Sequence, residues 1–105
     1  MPDSLLKIAT TKLGPVKGAR VVVFVGCWAL AMRKCGERWD LMTETQKVEA
    51  YCDAYVCSRA TGWRHLGLYR SVFDVDPTVM VRRLELDVVN RRQAKDVWAI
   101  GMRPT

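Results

Sequence analysis

The chemistry-bearing side chains of this sequence crowd into one short stretch: Ser58, Arg59, Ala60, Thr61, Trp63, Arg64, His65 and, one turn beyond, Arg70. A hydroxyl, guanidinium groups, an indole and an imidazole at helical spacing suit an anion with edges to be read rather than a bond to be broken. Arg bonds guanine bidentately, Ala60 can touch a thymine methyl, and Thr61 and His65 can bond a phosphate or a base edge. Ser58 and the unpaired N–H groups beside it form an anion site at a helix start. Enzymatic readings fare badly. His65 is the single His, no nucleophile or metal ligand lies near it in sequence, and no glycine-rich phosphate loop is present.

These residues need an element to hold them. Thr43 and Gln46 have the spacing of a capping box, which starts a helix running to about Tyr55. Val56 and Cys57 then turn the chain, and Ser58 caps a second helix expected to reach about Phe73. Leu66, Tyr69 and Phe73 fall on its core side, whereas Arg59, Trp63 and Arg70 share another face with Arg64 at its edge.

The run AYCDAYVCSRATGWRHL resembles the helix-turn-helix of bacterial and phage transcription regulators, over roughly residues 45–70. The resemblance implies a mainly α fold, a small bundle of four to five helices in one domain over 1–105. It also implies that the helix from Ser58 reads double-stranded DNA with no cofactor and no metal. Cys52 stands where the family has a small residue, and Cys57 fills the apolar place before the cap. Two positions depart from the pattern. The turn residue, usually Gly, is Val56, whose β-branch resists positive φ. The buried place in the second helix, usually branched, is Gly62, leaving a gap for Trp63 or Leu66 to fill.

One domain is what 105 residues allow, and with half of them hydrophobic a core needs no staples. The formal charge of +6 favours phosphate-rich partners or an acidic protein surface. Cys27, Cys35, Cys52 and Cys57 contain no CxxC pair, so free thiols in a reducing, cytoplasmic setting are expected before a metal or redox cluster. Val21 to Met32 is an uncharged apolar run of 12 residues. As a helix it rises about 18 Å, short of the roughly 30 Å hydrocarbon core of a bilayer, so it reads as a core element.

Around the motif, Asp3 and Ser4 open a short helix or arm over 1–14 that Gly14 and Pro15 end. A single buried helix from about 17 to 35 follows, and Trp39, Leu41 and Met42 give the next connector an apolar foot. Asp76 and Pro77 start a helix to about Arg92. The rival is a winged variant, because Arg83 to Val88 alternates polar and apolar strictly and Val97 to Met102 could pair with it as a β-hairpin. Either form adds a second basic group, Arg82, Arg83, Arg91, Arg92 and Lys95.

The function expected is sequence-directed DNA binding by a small transcription regulator, such as a repressor, of phage or mobile-element size. A domain this short rarely buries enough interface alone, so a homodimer is expected, joined through the C-terminal element. The competing expectation is a basic interaction protein that binds a host protein such as part of the transcription machinery. Arg59 and Arg64 separate the two, by facing solvent together or by being tied to carboxylates.

Overall fold

The computed structural model describes residues 3–101, with side-chain surroundings over 5–89. It is a helical bundle: α1 (Asp3–Leu13), α2 (Pro15–Cys35), a 3-10 helix (Gly36–Leu41), α3 (Glu44–Tyr55), α4 (Arg59–Arg70) and α5 (Pro77–Gly101). No strand occurs among the described residues, so the C-terminal hairpin is replaced by one helix that extends beyond Arg92.

Local signals explain where the helices start. At α3 the Thr43 side chain accepts from the Gln46 N–H while the Gln46 side chain accepts from the Thr43 N–H, at 3.2 and 2.9 Å. Asp76 accepts from the Thr78 N–H at 2.8 Å, and Pro77 occupies the first turn of α5, where its missing N–H costs nothing.

α2 is the central strut, and α1, α3, α4 and α5 all pack on it. It is longer than its uncharged run. With the turn after it, Pro15–Leu41 is long and apolar enough by length and composition to cross a membrane. One face of it is the core: Gly18, Val21, Phe24, Val25, Trp28 and Ala31 are buried. The opposite face leaves Val16, Val23 and Leu30 exposed. α1 lies close against α2 because Gly18 has no side chain; a Cβ there would stand 2.7 Å from the Thr10 backbone.

Phe24, Trp28, Trp39, Tyr51 and Tyr69 form an aromatic core with centroid separations of 4.9–6.2 Å. Two of its indoles carry N–H groups that burial would orphan, and one hydroxyl satisfies both. Thr78 Oγ1 accepts from Trp28 Nε1 at 3.1 Å and from Trp39 Nε1 at 3.0 Å. Thr78 thereby locks the start of α5 and the 3-10 helix to α2. Of the expected apolar foot, Trp39 is buried and Met42 half-buried, but Leu41 is exposed.

Candidate nucleic-acid interface

α3 and α4 pack against each other across a short turn, and the turn residue is the informative one. Val56 adopts φ 59° and ψ 66°, the left-handed conformation usually given to Gly. A β-branched side chain is strained there. Val56 is 87% exposed, so no burial compensates, and the fold accepts the strain to reverse direction between the helices. Two residues on, Ser58 Oγ accepts from the Thr61 N–H at 3.2 Å and donates to Thr61 Oγ1 at 3.0 Å. The Ser58 hydroxyl is therefore occupied by the cap.

Gly62 leaves no gap for Trp63 or Leu66 to fill, contrary to the expectation from sequence. A Cβ on Gly62 would lie 2.4 Å from Cys52 Sγ and 3.1 Å from Val48 Cγ1. The thiol of α3 occupies the space a branched residue of α4 would have used, so the two helices exchange bulk. Cys52 Sγ also donates to the Ser58 carbonyl at 3.3 Å. Burial first, then its hydrogen bond with Cys57, pushes the Cys52 thiol up to about 11, which keeps it a protonated packing group. Leu66 is buried in the core, and Trp63 lies outside it, 39% exposed.

α4 ends at Arg70 rather than Phe73, and Ser71 caps it. Its buried side carries Gly62, His65, Leu66 and Tyr69. Its open side carries Arg59, Ala60, Trp63, Arg64, Gly67 and Arg70, with Thr61 half-buried at the margin. His65 is the residue whose expected role fails. It is 7% exposed, and its Nδ1 lies 2.8 Å from the Tyr51 hydroxyl, beneath the surface it was expected to present. Burial, and the positive charges of Arg20 and Arg64, hold the imidazole below its ordinary 6.5. Burial likewise raises the Tyr51 phenol, so the bond joins a neutral phenol to a neutral imidazole, and its direction follows the His65 tautomer. Tyr51 stacks on Tyr55 at 3° between planes, and the Tyr55 hydroxyl accepts from Arg20 Nη1 at 2.5 Å. The ladder fixes α2 behind α4.

The two long edges of α4 differ. On the α3 side, Arg59 is ion-paired with Glu49, and Arg70 with Glu44 at 2.5 Å. On the α2 side, Arg64 is exposed and has no acidic partner among the described residues. It borders an open groove lined also by Lys17 and Arg20 of α2, with Thr61, Leu68 and Ser71 on the α4 wall and His65 behind them. Lys17 and Arg20 were not among the site residues expected from sequence, where they stand as the charges that precede the apolar run Val21 to Met32.

The second basic group is less open than its composition suggests. Arg82 makes two contacts to Asp40, at 2.8 and 3.0 Å, while Arg83 is exposed. Arg91, Arg92 and Lys95 lie outside the residues whose side chains are described. Among the described residues no group of three or more His, Cys, Asp and Glu side chains could hold a metal ion. Comparison with known proteins adds no identity: no family model, no curated protein and no solved structure matches this chain.

Proposed function

We propose that the chain binds double-stranded DNA through α4 and acts as a small transcription regulator. The observation that carries the reading is the groove edge of α4, where Arg64 faces Lys17 and Arg20 with no carboxylate among them. Three cations on two helices track a phosphate backbone, and Arg64 is placed to reach a base edge as α4 enters the major groove. Trp63, Ala60 and Gly67 form the low, mostly apolar crest between the edges. Gly67, with no atom within 4 Å of a Cβ added there, leaves the α4 backbone open to close approach. Ser58 and Thr61 hold the helix start in shape for a phosphate at its N–H groups.

A second reading, a small protein that binds a host protein, is favoured by the Glu49 and Glu44 contacts that tie up Arg59 and Arg70 and by the exposed Val16, Val23 and Leu30 of α2. One experiment separates the two. Fluorescence-anisotropy titration of random and selected duplexes at two salt concentrations should show steep salt weakening for the native chain. Arg64→Ala should lose about ten-fold or more of the preference for selected DNA, as expected for one Arg contact of roughly 1–3 kcal/mol. Native protein that binds no duplex at low salt would overturn the DNA reading and leave the second.

A further inference from the structure

The four cysteines are free thiols, and two of them meet at the turn between α3 and α4. Cys52 and Cys57 are held together twice. The Cys57 N–H donates to the Cys52 carbonyl at 3.1 Å across the left-handed Val56, the bond that closes a helix end around such a residue and brings the side chains on either side of it into contact. The two thiols are then joined by a hydrogen bond of their own. A disulfide needs both backbones and both sulfurs to be close, and the turn supplies each.

The pair is unequal in the way that a two-step oxidation needs. Both thiols border one shallow open pocket with Asp53, Val56 and Ser58, but Cys52 is buried and Cys57 only half-buried. A solute entering the pocket meets Cys57 first. Cys52, kept protonated by burial, waits one hydrogen bond away and resists direct attack. Hydrogen peroxide is an oxidant small enough for so shallow an opening, and a thiol with a second thiol beside it is the arrangement in which its product is resolved within the chain. Cys27 is the third thiol of the neighbourhood, on α2, and Cys57 is the residue whose charge acts on it after its own burial does. It has no such backbone closure to Cys57.

We propose that Cys52 and Cys57 form a reversible oxidation site, in which a peroxide oxidises Cys57 and Cys52 resolves the product as an intramolecular disulfide across the turn. The Cys57 sulfur, as thiolate, attacks one peroxide oxygen; the S–O bond forms, the O–O bond breaks, and the departing hydroxide takes up a proton as water. The Cys52 sulfur then gives its proton to solvent and attacks the Cys57 sulfenic acid, so that the S–S bond forms, the S–O bond breaks and a second water leaves. Two thiols have lost two electrons to one peroxide. The sulfurs must close to about 2.05 Å, and the Cys52 sulfur that moves is the one filling the space over Gly62. It also loses the hydrogen that it donates to the Ser58 carbonyl. Oxidation is therefore felt at the start of α4, and the site stands on the turn alone, whatever α4 binds.

Hydrogen peroxide treatment of the reduced, folded full chain, followed by alkylation in denaturant and tryptic mass mapping, tests the site. Cleavage after Lys47 and after Arg59 leaves Cys52 and Cys57 in one peptide, Val48 to Arg59. That peptide should be recovered unalkylated and lighter by two hydrogens, with Cys27 and Cys35 alkylated, and dithiothreitol should restore alkylation at both of its thiols. Two variants separate the roles. Cys52→Ala removes the resolving thiol and should leave on Cys57 a sulfenic acid that dimedone traps, whereas Cys57→Ser should leave Cys52 reduced under the same exposure. A native Val48–Arg59 peptide that keeps both thiols, or a Cys57 joined to Cys27 instead, would overturn the proposal. So would a Cys57→Ser chain in which dimedone labels Cys52, because the order of attack would then be reversed.

Discussion

The two edges of α4 carry the same kind of side chain and do opposite things with it. On the α3 edge, Arg59 and Arg70 sit over a helix that supplies Glu49 and Glu44, and their charge is neutralised where it stands. On the α2 edge, Arg64 looks across at Lys17 and Arg20, and the charges add. The difference comes from what the neighbouring helix offers. α3 has acids in its first half, where the helix dipole favours them. α2 has Lys17, Arg20, Arg33 and Lys34 and no acid at all. A basic count therefore says little about a basic surface until the neighbours are known.

The most disruptive way to break the contrast is to move α4 as a whole. Gly62→Ala puts a Cβ 2.4 Å from Cys52 Sγ and 3.1 Å from Val48 Cγ1, so α3 and α4 must part or the thiol must turn. Overpacking of this kind costs roughly 1–3 kcal/mol. Urea denaturation should show the loss, and Cys52→Ala in the same chain should recover most of it by vacating the space. If Gly62→Ala is neutral alone, the exchange of bulk between the helices is wrong, and with it the seating of both edges.

That exchange marks the boundary of what the sequence could disclose. The caps were legible because each is a local spacing: Thr43 with Gln46, Asp76 before Pro77, Ser58 before its helix. Val56 was legible as an irregularity, and its left-handed backbone gives the reason. Cys52 with Gly62 was not legible as a pair, because the fit depends on how closely two helices cross. His65 was misassigned because the margin of a helix's core face shifts with its neighbours, and here Tyr51 reaches up to claim it. Partners 10 and 26 positions away neutralise Arg59 and Arg70, beyond any periodicity argument. The alternation over Arg83 to Val88 suggested a strand with one buried face. The structure leaves 85–89 exposed all round, so there is no core for that alternation to report on.

A smaller effect of opposite sign comes from the turn. Val56→Gly removes a β-branched side chain from the left-handed region at a site where nothing is buried, and it should stabilise the chain by about 1 kcal/mol. The gain is partly offset by the greater freedom of glycine in the unfolded chain. A thermal melt that rises by a few degrees supports the strained turn. A fall would mean that the Val56 side chain contributes packing that its 87% exposure denies. Neither outcome should alter the contrast between the edges, since both lie beyond the turn.

The groove edge also has a pH signature. His65 is held below its unfolded value of 6.5 by burial and then by Arg20 and Arg64, so in this range the unfolded chain binds the extra proton more readily than the folded one. Its contribution to stability is present above 6.5 and is lost as pH falls from there through the lower folded value, with no further loss below it. Stability measured between pH 7 and 5 should decline, and His65→Gln, which keeps a hydrogen-bond partner for Tyr51, should flatten the decline. An equally steep decline in His65→Gln would place the titrating group elsewhere.

The smallest effects belong to the closed edge, and they sharpen the comparison most. Arg59→Gln and Arg70→Gln each remove an exposed ion pair, and such pairs contribute about 0–1 kcal/mol because water and salt screen them and long side chains resist ordering. Their stability cost should be near the lower end. Their effect on DNA should be smaller than that of Arg64→Ala, because a guanidinium already facing Glu49 or Glu44 must give up that contact before it reaches a phosphate. The salt slope of binding gives the sharper measure, since each phosphate neutralised adds close to one unit to it. Arg64→Ala should reduce the slope by about one, and Arg59→Gln should leave it unchanged. Equal reductions would mean that the carboxylates of α3 release their arginines on binding, and α4 would then present both edges to DNA.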